Sequence, residues 1–251
     1  MASRGLRDAP LVLKAVGIAV VVVLCLFVGL DLVQRDRGAE RQAGAEAASY
    51  SPPPLSSPQP RLVSVISDEL AGAQPGSDAE QEGPPSWISI VPQRVSVRLS
   101  PFIYPSSGYT IRGFDDDPNG STFVTRAGRI SDTTSLAVFV GGAADRGRAR
   151  TTISKAATTA YADVKEIAPQ ARVVVVGPVW PTADPPADVL AVRDALRTAA
   201  GVADATWVDP IGSRWLAGSS SQWDAETNQP TAAGQRQLGV LMTQVVQREF
   251  S

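Results

Sequence analysis

Two uninterrupted apolar runs constrain this chain more than anything else in it. They are Leu136-Ala137-Val138-Phe139-Val140, closed by Gly141-Gly142, and Val173-Val174-Val175-Val176, closed by Gly177-Pro178. A strand with one wet face alternates apolar and polar residues. A short Val-rich run that is apolar at every position is buried on both faces, as in a parallel sheet covered by helices. Residues 62–66, 94–99 and 206–208 supply further strand candidates. Between them, residues 149–168 and 186–200 are Ala-rich with helical spacing, and a last helix is expected from near Thr231 to Arg248. Alternating strands and helices predict a doubly wound three-layer α/β/α sandwich on a parallel five-stranded sheet. Such sheets place their sites at the carboxyl ends of the strands.

The upstream sequence divides into three parts. Residues 1–10 carry Arg4 and Arg7 and are expected in the cytoplasm. Residues 11–33 read as a transmembrane signal-anchor helix. From Ala15 to Leu30 there is no charge, and Leu11, Val12 and Leu13 extend the run, with Lys14 able to snorkel. About twenty residues at ~1.5 Å each match a hydrocarbon core of roughly 30 Å. No small-x-small cleavage site follows closely, so the anchor is expected to stay on the chain and to hold the C-terminal domain outside the cell membrane. Arg35, Arg37 and Arg41 behind the span weaken the charge bias that sets this orientation. Residues 34–60 form a linker whose Pro52-Pro53-Pro54 and Pro58-Gln59-Pro60 favour extended chain. The globular domain is then 61–251.

Composition removes several classes of function. A net charge of −2 gives no electrostatic case for nucleic acid. The single cysteine, Cys25, lies in the apolar run, so neither an intramolecular disulfide nor a thiolate metal cluster is expected. No cofactor is implied. The histidine count is zero. Imidazole, the usual general base near neutral pH, takes no part in any chemistry here, and a Ser-His-Asp triad cannot be assembled within the chain.

Four blocks stand at or after the strand candidates: Ser67-Asp68-Glu69-Leu70, Ser106-Ser107-Gly108-Tyr109, Gly141-Gly142-Ala143-Ala144-Asp145, and Glu226-Thr227-Asn228-Gln229-Pro230-Thr231-Ala232-Ala233-Gly234. In order and spacing they resemble the GDSL/SGNH hydrolase family. That family carries Gly-Asp-Ser after its first strand, a glycine in its second block, Gly-x-Asn-Asp after the third strand and Asp-x-x-His-Pro before the last helix. The resemblance spans the chain from Arg61 to its C-terminus and implies the same α/β fold. It also implies that the catalytic atoms are gone. Ser67 and Asp68 occupy the Gly-Asp positions, and Glu69 stands where the nucleophilic serine would be. Gly108 is retained. The oxyanion-hole asparagine is replaced by Ala144, beside a retained Asp145. Glu226 and Gln229 replace the catalytic aspartate and histidine.

Acyl transfer needs an activated nucleophile, a base and an oxyanion donor. With all of these altered, no residue is assigned a catalytic role. Ser67, Asp68, Glu69, Gly108, Ala144, Asp145, Glu226 and Gln229 are instead expected to line a degenerate cleft. Its occupant would be an envelope glycan, a lipid or a protein partner. A working esterase or acetyltransferase with an unusual constellation is the rival reading, and a purely structural envelope component is a third. The carboxylates Asp68, Glu69, Asp145 and Glu226 would serve paired acid/base chemistry or a hard cation only if they converge with open faces. The plainer expectation is that Asp68 and Asp145 bind loop amides, with Glu69 and Glu226 solvated, and no metal is assigned. Asp115-Asp116-Asp117-Pro118-Asn119-Gly120 reads as an acidic turn. Trp180, Trp207, Trp215 and Trp223 either pack or edge a cleft.

Overall fold

The computed structural model describes residues 59–68, 70, 86–114, 120–218 and 221–251. The expected membrane span at 11–33, the linker up to residue 58, Glu69 and most of the acidic turn lie outside them. Among the described residues no helix is long and apolar enough to cross a membrane.

Strands β1 (Arg61–Ser67), β2 (Val97–Ile103), β3 (Leu136–Val140), β4 (Arg172–Val176) and β5 (Thr206–Val208) form one sheet in the order β2-β1-β3-β4-β5. Every pairing is parallel. β3 and β4 are the two runs on which the fold was predicted, and both are flanked by strands on either side. The second strand departs from expectation. Residues 94–99 alternate, yet Arg94 ends helix α1 (Trp87–Arg94) and the strand begins only at Val97. Local signals explain the shift. Ser86 caps the helix by accepting from the Ile88 amide, and Trp87, Ile88, Ile90 and Val91 recur at helical spacing to bury one face. β2 is an edge strand, which tolerates Pro101 because one side of its backbone needs no ladder partner.

Successive strand residues point to opposite faces, so the sheet feeds two cores. On one face Val63, Val65, Leu136, Val138 and Val174 pack with Trp87 and Val91 of α1 and with Leu238 and Met242 of α5 (Ala232–Phe250). On the other, Ile66, Ala137, Phe139, Val173 and Val175 pack under α2 (Phe123–Ala127), α3 (Arg150–Ile167) and α4 (Ala187–Val202). The result is the predicted three-layer sandwich. In the second core Tyr109, Phe123, Phe139 and Tyr161 form an aromatic cluster, with the Tyr109 and Tyr161 hydroxyls 2.8 Å apart. Helices α1 and α5 approach closely because position 239 is glycine: a Cβ there would lie 2.7 Å from Ile90 Cγ2.

Two smaller features set the rim of the sheet. A short antiparallel hairpin, β6 (Trp223–Asp224) and β7 (Gln229–Pro230), leads into α5, and Thr231 caps that helix by accepting from the Gly234 amide at 3.2 Å. The expected last helix therefore begins where its Thr predicted, but the hairpin before it carries too few residues to show a period. The buried Gln235 side chain then clamps the far loop. Its Oε1 accepts from Trp87 N (3.0 Å) and its Nε2 donates to the Leu70 carbonyl (3.2 Å). Trp87 Nε1 donates to the same carbonyl at 3.1 Å.

Leu136 is fully buried where the central strand meets α1 and α5. Leu136→Ala should lower the unfolding free energy by about 2–5 kcal/mol, read as a fall in the guanidinium midpoint at unchanged m.

Candidate functional site

The carboxyl ends of β1 and β3 are joined by Asp68, which is 2 % exposed. Its Oδ2 accepts from Gly142 N at 2.9 Å and its Oδ1 from Leu70 N at 3.1 Å. The partner loop is built around this carboxylate. Gly141 and Gly142 both hold positive φ, at 105° and 97°, and a Cβ on Gly141 would fall 2.2 Å from Asp68 Oδ2. Only glycine supplies both that backbone conformation and that space.

Asp145 does the same one loop further on, and it is fully buried. Oδ2 accepts from Tyr109 N at 2.7 Å. Oδ1 accepts from Thr110 N at 2.8 Å and from Thr110 Oγ1 at 2.6 Å. Burial pushes its pKa above the ordinary carboxylate range, while the hydrogen bonds from Thr110 and Tyr109 pull it down. Gly108 lies flat against this carboxylate, where a Cβ would be 2.4 Å from Oδ2. The glycine of the second block is thus explained by packing. Its own N–H donates to the Ile111 carbonyl at 2.9 Å.

The structure therefore brings Asp68, Gly108, Ala144 and Asp145 to one end of the sheet, with Ser67 ending β1 and bonded through Oγ to the Val140 carbonyl at 3.1 Å. Ala144 is half-buried in the turn between Gly142 and Asp145. Gln229 and Glu226 sit on the hairpin ahead of α5, half-buried and exposed respectively. That hairpin reaches the Asp68 loop through the Gln235 clamp on Leu70. The carboxylate that shapes the hairpin is Asp224 rather than Glu226: Asp224 Oδ1 accepts from Glu226 N (2.8 Å), and hydrogen bonds from Glu226 and Thr227 hold its pKa below the ordinary range. Gly234 is held as firmly as Gly141, since a Cβ there would lie 2.1 Å from the Gln222 carbonyl oxygen. Among the described residues no group of acidic side chains is arranged to hold a metal ion.

Sequence reasoning missed the cation of this region. Arg126 is 3 % exposed in α2. Its Nη1 donates to the Ser67 carbonyl (2.6 Å) and the Phe102 carbonyl (2.9 Å), tying the ends of β1 and β2, while Nη2 donates to Ser107 Oγ at 2.6 Å. Burial lowers its pKa to about 10, opposed by the nearby Asp68 charge. The available signal was its position three residues after Phe123, on the apolar face of a short helix. Of the tryptophans, Trp215 and Trp223 are buried in the first core, Trp207 covers Gly177, and Trp180 stays half-exposed with the Arg146 guanidinium 5.5 Å from its ring centre.

A doubly wound parallel sheet whose first-, second- and third-strand loops are knitted by two buried aspartates defines an SGNH-type α/β domain. Comparison with known proteins agrees. A GDSL lipase of Mycobacterium tuberculosis is 27% identical over 197 residues, covering 75% of this chain and 82% of that protein. The structure also superposes on a native aryl esterase of M. smegmatis (TM-score 0.56, 16% identity, 75% and 99% of the two chains). It superposes likewise on a carbohydrate acetylesterase of Sinorhizobium meliloti (TM-score 0.57, 13% identity, 75% and 99%). No family model matches the sequence. In fold and in block order the chain resembles the GDSL/SGNH hydrolases, and its sequence is similar to that of a GDSL lipase.

Two substitutions test these roles. Arg126→Met would strand buried carbonyls and leave the Asp68 charge without its neighbour, so it should cost about 3–5 kcal/mol in urea unfolding. Asp145→Asn would turn an amide donor toward at least one backbone N–H and should cost about 1–3 kcal/mol by the same measurement.

Proposed function

We propose that this protein is a non-catalytic member of its family, a binding or structural domain held at the outer face of the cell membrane by its N-terminal apolar segment. One observation carries the reading: among the described residues, the two buried carboxylates at the carboxyl end of the sheet are spent on loop amides. Asp68 and Asp145 are buried and accept loop amides. A glycine can assist an oxyanion only through its backbone N–H, and that of Gly108 is already given to Ile111. Ala144 has no side-chain donor, and the chain has no histidine to deprotonate a hydroxyl. Losing one oxyanion donor costs on the order of 10²–10³ in rate, and losing nucleophile and base together removes the covalent route. The carboxylate pair at this end is spent on backbone and offers no second acid/base mechanism. The uncharged run at 15–30 and the proline-rich stretch after it support the membrane tether.

The test uses the full chain in detergent micelles with a fluorophosphonate probe and a series of short-chain p-nitrophenyl esters. No serine should be labelled, and ester hydrolysis should match the buffer rate. Stoichiometric labelling of one serine together with turnover would make the protein a hydrolase of unusual mechanism.

A further inference from the structure

Away from the degenerate site, α3 and α4 enclose a groove of about 530 Å³ lined by Arg150, Thr151, Ser154 and Lys155 from α3 and by Ala195 and Thr198 from α4. We propose that this groove, with the arginines leading into it, binds an acidic glycan. The inference rests on the reading of the protein as a binding domain outside the membrane.

Charge is the first argument. The segment entering α3 reads Arg146-Gly147-Arg148-Ala149-Arg150, three cations in five residues, in a chain whose net charge is −2. Arg146, Arg148 and Arg150 are all exposed, as is Lys155 one turn further along. Among the described residues Arg146, Arg148 and Lys155 make no ion pair. Arg150 reaches Asp194 at 3.6 Å, but both side chains are substantially exposed, and Asp194 is shared with Arg193 at 2.8 Å. Such a surface pair is weak and readily exchanged for a ligand anion. The first turn of α3 carries no acidic residue to oppose an incoming anion.

The lining argues for a sugar. Among the described residues the hydroxyls of Thr151 and Ser154 are not used by the protein, so they are available to a ligand. The Thr158, Thr159 and Thr198 hydroxyls, by contrast, are spent on the Ser154, Lys155 and Asp194 carbonyls, so with Ala195 they contribute mainly apolar surface to the lining. Cations, free hydroxyls and an apolar strip suit a ring with C–H faces, hydroxyl edges and an anionic substituent. Arginine forks bind carboxylate and phosphate alike.

The experiment uses the full chain in neutral detergent micelles and measures binding at low and high salt. The probes are oligogalacturonate as a carboxylate-bearing glycan, phosphomannan as a phosphate-bearing one, neutral dextran, and phosphatidylglycerol vesicles. At least one acidic glycan should bind, dextran should not, and binding should weaken as salt rises. The triple variant Arg146→Ser, Arg148→Ser, Lys155→Ser should lose at least tenfold in affinity with an unchanged melting temperature. The control Arg94→Ser, Arg98→Ser, on the far side of the sheet order, should keep it. Absence of binding to both acidic glycans, equal binding to dextran, or full binding by the triple variant would each overturn the proposal. So would tighter binding to the vesicles than to either glycan, which would assign the patch to membrane lipid. Ester turnover by the wild type would undo the non-catalytic reading and leave this result intact.

Discussion

The carboxylate-to-amide contacts of Asp68 and Asp145 are what the upper rim of this molecule depends on. Asp68 follows β1 directly and Asp145 lies in the turn beyond β3, each is inaccessible to water, and each gathers backbone N–H groups from a different loop. Burying an isolated carboxylate is costly, and it is tolerated here because several donors are aimed at it. The glycines at 108 and 141 follow from this arrangement, because each lies directly against one of the two carboxylates. Arg126 completes the rim from the other side by holding the ends of β1 and β2 together and placing a positive charge near Asp68. The framework of this rim is held by contacts within the protein itself.

The four blocks whose order resembles the GDSL/SGNH family are also points of internal contact. Asp68, Gly108, Asp145 and Gly234 each lie against other parts of the protein, so packing alone accounts for these residue types. Ala144 and Gln229 are only half-buried and carry no comparable packing constraint.

Much of the fold was legible because its strongest signals are local and redundant. The runs in β3 and β4 coincide with the observed strands, and α3 and α4 lie within a residue or two of their expected ends, whereas the short α2 was not expected. The helix α1 was not legible, because the alternation read as a strand begins at its last residue, Arg94, and the deciding signal, the Ser86 cap, occupies a single position. The site was legible in part. Block order placed Asp68, Gly108 and Asp145 together, and the expectation that both aspartates bind loop amides matches the geometry. Arg126 was not legible as part of the rim: its partners Ser67 and Phe102 lie 59 and 24 residues away in sequence. Asp224 was passed over for Glu226 because a turn-forming aspartate and a motif aspartate look alike in one sequence.

The clamp made by Gln235 has a corollary. A single amide side chain receives the backbone of Trp87 and gives to that of Leu70, so these two points of the chain are held side by side. A loop whose two feet are fixed side by side can lengthen or shorten at a cost that grows only logarithmically with its size. Pinning residues 70 and 87 together therefore decouples the two cores from the length of whatever segment joins them.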